Sequence, residues 1–268
     1  MIYRGLMITG TDTGVGKTTV ACALALLGRE AGLKVGVVKP VETGCGPDLV
    51  AADGLKLAKA AGVAVDDEEV EGAWTRQSID EVVPWRFADP LAPEEAAKRA
   101  GTEISVDRIF QVVDRWTEKA ELLLVESAGG LMVPINPRFT FADLLQGLEM
   151  PALLVAANRL GAINHALLTL EALRRRDITP IAVVLNNPGP SPDASASSNA
   201  DIIRKHGQVN VIETPYAGNA DPATAVAVAL RPALAGIMRA MEADWWRIAV
   251  RYMNAKRKTD RQGGNNGT

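Results

Sequence analysis

Gly10-Thr11-Asp12-Thr13-Gly14-Val15-Gly16-Lys17-Thr18-Thr19 follows a strand-length apolar run at 6–9 and opens a segment of helical period from 17 to about 31. A strand, a glycine-rich turn and a helix in that order predict a phosphate-binding loop. Glycines let successive backbone N–H groups converge on phosphate oxygens, and the start of the helix dipole favours negative charge there. Thr13, Gly14, Val15, Gly16, Lys17, Thr18 and Thr19 are therefore expected around the phosphates of a nucleoside triphosphate. Lys17 should reach the β- and γ-phosphates, and the Thr18 hydroxyl should ligate Mg2+. The strict pattern G-x-x-x-x-G-K-[ST] would need glycine at position 11, where the chain has Thr11, and the spacing from Gly10 is one residue longer.

Working outward, further apolar runs lie at 34–38, 122–125, 152–156, 181–185 and 209–212. Each is nearly all apolar, as strands buried on both faces of a parallel sheet are. Helical periodicity at 106–119 and 164–176 separates several of them, with Asn164 expected as the N-cap of the second. The predicted fold is α/β: a single doubly wound P-loop domain over 1–219, with a mainly parallel sheet flanked by helices. Ligands then belong at the carboxyl ends of the strands. The composition of 188–198 (Pro, Gly, Ser, Ala) predicts a mobile loop. A C-terminal helical extension is expected over 220–256, split or kinked at Pro232, and a disordered polar tail over 257–268.

The chain has 268 residues, 29 basic against 32 acidic side chains, and a formal charge of −3. That balance gives no overall basic field, so no nucleic-acid partner is expected. Two cysteines (Cys22, Cys45) and two histidines (His165, His206) are too few for a disulfide framework or a zinc site. No leader-like start and no uninterrupted apolar stretch of about 18 residues stand out, so a cytoplasmic protein with no membrane contact is expected. From Arg239 onward, basic residues nevertheless outnumber acids.

Magnesium takes hard oxygen ligands. Glu126 leaves the buried run 122–125, the placement of a Walker-B carboxylate. Asp53 is a second candidate, although Asp48, Asp66 and Asp67 look equally eligible. Lys39-Pro40-Val41-Glu42-Thr43-Gly44 closes the second strand. Pro40 favours an extended Lys39, aimed past the sheet edge toward the phosphates, where a lysine can act as a point charge. Thr140-Phe141-Ala142-Asp143 reads as a capping box.

Taken in register, the loop at 10–18, Lys39-Pro40-Val41, Glu126-x-Ala128-Gly129-Gly130, Thr140-Phe141-Ala142-Asp143 and Leu160-Gly161-x-Ile163-Asn164-His165 resemble the dethiobiotin synthetase family over about residues 6–216. The resemblance implies ring closure of dethiobiotin from 7,8-diaminononanoate, CO2 and ATP through a carbamate and a carbamic–phosphoric anhydride. It implies Lys17 and Lys39 as the catalytic charges and Thr18, Asp53 and Glu126 as Mg2+ ligands. Thr43 and Gly129 are placed at the substrate, Asn186 on adenine, and Pro215 and Tyr216 against the base. It further implies a homodimer, in which Gly161, Ala162, Ile163 and Asn164 receive the substrate carboxylate across the interface. Ser127 and Gly14 depart from the family pattern.

Two other readings share a phosphate loop of this kind. An amidoligase of cobalamin assembly should add a glutamine-hydrolysing domain with a nucleophilic cysteine. A partition-type nucleotide switch should carry a lysine where this chain has Asp12.

Overall fold

The computed structural model describes residues 5–187, 189–190, 194–218 and 220–263, the stretch 245–263 as helical backbone only. β1 (Gly5–Gly10) leads through the glycine turn into α1 (Lys17–Glu30). β2 (Val35–Val38), β3 (Val41–Thr43), α2 (Ala52–Ala61), β4 (Val63–Val65), β5 (Thr75–Gln77), α3 (Ile79–Val82), β6 (Trp85–Phe87) and α4 (Pro93–Arg99) follow. Then come α5 (Val106–Thr117), β7 (Leu122–Gly130), β8 (Pro134–Asn136), β9 (Phe139–Thr140), α6 (Phe141–Leu148) and β10 (Ala152–Ala157). The chain continues through α7 (Ala162–Arg174), β11 (Pro180–Asn186), α8 (Ala196–Gly207), β12 (Asn210–Thr214) and α9 (Pro222–Gly263).

The main sheet is parallel throughout, in the order β12-β11-β10-β1-β7-β2. These are the six apolar runs of the sequence. β1 is central: β2 takes the far edge on one side with β7 filling in between, β10, β11 and β12 then follow outward on the other, and this change of direction opens a crevice at the carboxyl end of β1. The glycine-rich turn sits in that crevice. Most of the apolar core joins α1, α2, α5, α6 and α9 to the sheet. A smaller cluster of Leu154, Ala166, Leu170, Val183, Leu185 and Ile203 seals β10 and β11 under α7 and α8.

Several local expectations shift. α7 starts at Ala162, with Gly161 as its N-cap at φ 94° and no side-chain cap, so Asn164 lies inside the first turn and does not cap it. A left-handed glycine closes the turn earlier than the sequence pattern suggests, and the Ala162 N–H bonds the Arg159 carbonyl. Ala196-Ser197-Ser198 opens α8 and is not loop; positions 188 and 191–193 of the expected mobile loop lie outside the described residues. Helix α9 passes Pro232 without a break. Pro232 is on the exposed side, where the missing donor leaves no buried carbonyl behind. The same helix continues past residue 256 to Gly263, through residues that a helix tolerates; positions 264–268 of the expected polar tail lie outside the described residues. The expected capping box is present: Thr140 Oγ1 accepts the Asp143 N–H, and the Asp143 carboxylate accepts the Thr140 N–H.

Pro222–Asp244 is long and apolar enough to cross a membrane by length and composition. In the fold its Val226, Leu230, Ile237 and Met241 side chains are buried in the core that also holds α1.

Candidate active site

The loop after β1 is held from behind. Asn186, at the end of β11, donates from Nδ2 to the Val15 carbonyl (3.0 Å) and accepts at Oδ1 from Thr214 Oγ1 (3.0 Å). One amide thus ties the glycine turn to two strands. Gly16 takes φ 100° and caps α1, whose first turn has neither a side-chain cap nor an acid. Its N–H groups are free for an anion. Lys17 is buried, and its Nζ donates to the Asp12 carbonyl at 2.8 Å.

Four chains of cause bring the polar centre together. Thr18 stands on the first turn of α1, Lys39 just past β2, Asp53 on the first turn of α2, and Glu126 inside β7, which runs further than the predicted strand. Lys39 is 5% exposed and Glu126 1%. Lys39 Nζ lies 2.7 Å from Asp53 Oδ2 and 3.0 Å from Glu126 Oε1, and Thr18 Oγ1 donates to that same Oε1 at 2.7 Å. Burial alone would lower the Lys39 pKa, but Glu126 and Asp53 outweigh it and raise it above the ordinary lysine value. Burial would raise the Asp53 carboxyl, but the Lys39 ammonium holds it below the usual range. This lysine is therefore a permanent cation and not a proton shuttle.

Glu126 Oε2 is buried without a hydrogen-bond partner. An orphan carboxylate oxygen beside a threonine hydroxyl and a second carboxylate suits a hard cation. Among the described residues no three His, Cys, Asp or Glu side chains converge as a cage. Mg2+ does not need one, because it is commonly held by one or two carboxylates together with substrate phosphates and water. The donor set Thr18, Asp53 and Glu126 fits that ion.

These groups line one cleft of about 1160 Å³. Of the predicted site residues, Thr13, Gly14, Gly16, Lys17, Thr18, Thr19, Lys39, Thr43, Asp53, Glu126 and Gly129 line it. Val15 lies buried beneath the turn. Asn186, Pro215 and Tyr216 are not brought to its wall, and neither is the turn Gly161, Ala162, Ile163 and Asn164. Sequence reasoning missed Glu42, the apolar wall Pro90-Leu91-Ala92-Pro93 and the first turn of α9, Asp221-Pro222-Ala223-Thr224. The last was legible: Asp221 before Pro222 is a helix-start signal, and its carboxylate accepts the Thr224 N–H at 2.8 Å. Cys22 also lines the cleft, but burial pushes its thiol up to about 12, so it is no nucleophile at neutral pH.

The two departures have plain places. Ser127 is fully buried, 3.2 Å from Thr9 Oγ1 across β1 and β7, so its hydroxyl is hydrogen-bonded in the sheet. At Gly14 a Cβ would meet nothing within 4 Å.

Burial lowers the Lys17 pKa to about 8. A phosphate partner needs the ammonium form, so binding above that pH must take up a proton. Nucleotide affinity is expected to be flat between pH 7 and 8 and then to weaken by about tenfold per unit. Calorimetric titration of ADP in buffers of differing ionisation enthalpy measures both the slope and the proton uptake; an affinity unchanged to pH 9.5 would remove Lys17 from the phosphates.

A family profile described as an AAA domain matches residues 4–216. The ATP-dependent dethiobiotin synthetase BioD of Anaeromyxobacter dehalogenans is 41% identical over 198 residues, covering 74% of this chain and 82% of that protein. The protein of the same name from Phenylobacterium zucineum is 37% identical over 227 residues, covering 83% and 93%. Among solved structures, the MinC:MinD cell division protein complex of Aquifex aeolicus has a TM-score of 0.51 at 16% identity, covering 92% of this chain and 96% of that one, a likeness of fold alone.

Proposed function

Because the chain belongs to the family of ATP-dependent dethiobiotin synthetases, we propose that its cleft joins 7,8-diaminononanoate to CO2 and closes the ureido ring. The carrying observation is Lys39, buried between Asp53 and Glu126 in the same cleft as the phosphate loop. In this reading one amine nitrogen of the diamine bonds to the carbon of CO2 and loses a proton, giving a carbamate. A carbamate oxygen attacks the γ-phosphorus and ADP leaves. The second amine then attacks the carbonyl carbon, expels phosphate, loses its proton and completes the five-membered ring.

None of these steps needs a covalent bond to the protein, so positioning and charge neutralisation are its work. Lys17, desolvated in the loop, neutralises the phosphates. Lys39 neutralises the negative charge shared by carbamate and transferring phosphoryl group. Thr18, Asp53 and Glu126 would hold Mg2+, which when bound supplies charge compensation on the phosphate oxygens. Thr43 and Gly129, which line the same cleft, are assigned to the diamine, and the Pro90–Pro93 wall suits its hydrocarbon chain. Asn186 spends one N–H on the Val15 carbonyl and one lone pair on Thr214 Oγ1, which leaves one of each for adenine, and Pro215 and Tyr216 are assigned to the base.

A homodimer completes the site in this proposal. The turn at 161–164 does not line the cleft of its own chain, and its helix lacks a side-chain cap, so the N–H groups of Ile163 and Asn164 suit the carboxylate of substrate bound by a partner. Leu160, 83% exposed, and Leu168, 57% exposed, lie beside it. Incubation with the diamine, labelled bicarbonate and Mg-ATP tests the reading. Acid-stable label in a protein that scatters light as a dimer is the expected outcome. Nucleotide binding without acid-stable product would overturn the reaction, and full activity from a monomer would overturn the shared site.

A further inference from the structure

We propose that Glu42 is a positioning residue for the ligase site: it fixes the first turn of α2 and so sets Asp53 against Lys39. The inference rests on the function proposed above and adds a residue which that reading does not use. Glu42 sits in β3 and is 6% exposed. Its two carboxylate oxygens are divided between two backbone donors: Oε1 accepts the Asp53 N–H and Oε2 the Gly54 N–H, both at 2.9 Å. These are among the four N–H groups that the start of a helix leaves without intrahelical partners. The residue at the N-cap position, Ala51, has no side chain able to satisfy them. A glutamate eleven positions back along the chain, on another element, does so instead.

The arrangement is stiff. Burial pushes the Glu42 carboxyl above its ordinary range, and the two N–H bonds act against that shift. The start of α2 is also wedged close to the residue after α3: a Cβ on Gly54 would fall 2.2 Å from Val83 Cγ2 and 3.4 Å from Glu42 Oε2. The helix therefore cannot slide toward Val83, and the carboxylate stops it drifting away. Asp53, whose N–H is one of the two clamped, presents Oδ2 to Lys39 Nζ at 2.7 Å. Lys39, Glu42 and Thr43 lie within five residues. One short segment thus carries the catalytic lysine and a substrate residue, and through Glu42 it also sets the carboxylate that pairs with the lysine.

Glutamine at position 42 keeps the shape but offers one acceptor and an NH2 group, so one helix N–H meets a donor. In Glu42→Gln, amide exchange at Asp53 and Gly54 is expected to quicken at least about tenfold, reporting the loosened turn. Mn2+ binding in the presence of ADP, read by electron paramagnetic resonance without turnover, should weaken about tenfold, because Glu42 orders Asp53, one of the carboxylates that would hold the ion. The KM for diamine should stay within about twofold while kcat falls, which separates ion placement from substrate binding. Adding Ala51→Ser supplies a local cap and should recover most of the exchange protection and Mn2+ affinity. The inference is overturned if Mn2+ affinity and kcat are unchanged while only the melting temperature drops, or if the serine restores neither. Exchange and Mn2+ binding are read without product, so a failure of the ring-closure reaction itself would leave them standing as a separate result.

Discussion

Lys39→Met is expected to abolish ring closure while nucleotide still binds. The ammonium bridges Asp53 and Glu126, at 2.7 and 3.0 Å, and methionine keeps the hydrocarbon stem while deleting the charge. A preorganised charge in a water-poor site is worth roughly a hundred- to a thousandfold in rate, so turnover should fall by at least that much. ADP affinity should change little, since Lys17 and the N–H groups of the loop remain. Stability should change as well. Removing one partner of a buried pair leaves an uncompensated charge, at a cost of about 3–5 kcal/mol; here one carboxylate is buried and the other half-exposed, so the lower end is expected. The sign with pH follows from Asp53. Its folded pKa is depressed by Lys39, so in the parent chain it adds stability above its unfolded pKa, and that contribution is lost as pH falls through the folded value. Without the lysine the contribution is gone. The gap in melting temperature between parent and variant should be wide at pH 7 and close only below about pH 4, as Asp53 protonates in the parent. Retained turnover, or a gap independent of pH, would reduce Lys39 to a strand-end charge.

The contrast between what the residues announced and what they concealed has a physical basis. All six strands of the main sheet were legible, because burial on both faces forces continuous apolar runs. The short pairs β3 with β6, β4 with β5 and β8 with β9 were not, since two or three residues cannot display a period. Lys17, Thr18 and Glu126 were readable because each adjoins a strand that announces itself. Asp53 was indistinguishable by sequence from Asp48, Asp66 and Asp67; what selects it is the docking of α2, set by Glu42 and Val83, which no local pattern encodes. Asn186 shows the opposite limit. Its position at the end of β11 was legible, but its bonds run to Val15, 171 residues away in sequence, and to Thr214. The structure places it behind the phosphate loop as a brace, a role visible only once β1, β11 and β12 lie side by side.

That brace makes Gly16→Ala the other large expected loss. The position has φ 100°, where a side chain costs about 1–2 kcal/mol by conformation alone. A Cβ there would also fall 2.1 Å from Asn186 Nδ2 and 2.9 Å from its Cγ. Asn186 cannot swing aside without giving up the Val15 carbonyl and the Thr214 hydroxyl, so the loop must move instead, and overpacking adds about 1–3 kcal/mol. The melting temperature should fall accordingly, and ADP affinity should drop at least about a hundredfold, because N–H groups displaced by even a fraction of an ångström no longer converge on the phosphates. Gly14→Ala is the control: φ is 73° but no atom lies within 4 Å of the new carbon, so only the conformational cost remains. The double variant Gly16→Ala, Asn186→Ala separates the two causes. If the amide is the obstacle, its removal should recover part of the stability lost at Gly16, a coupling of opposite sign to simple addition. Additive losses would mean that backbone strain alone is responsible and that Asn186 braces nothing.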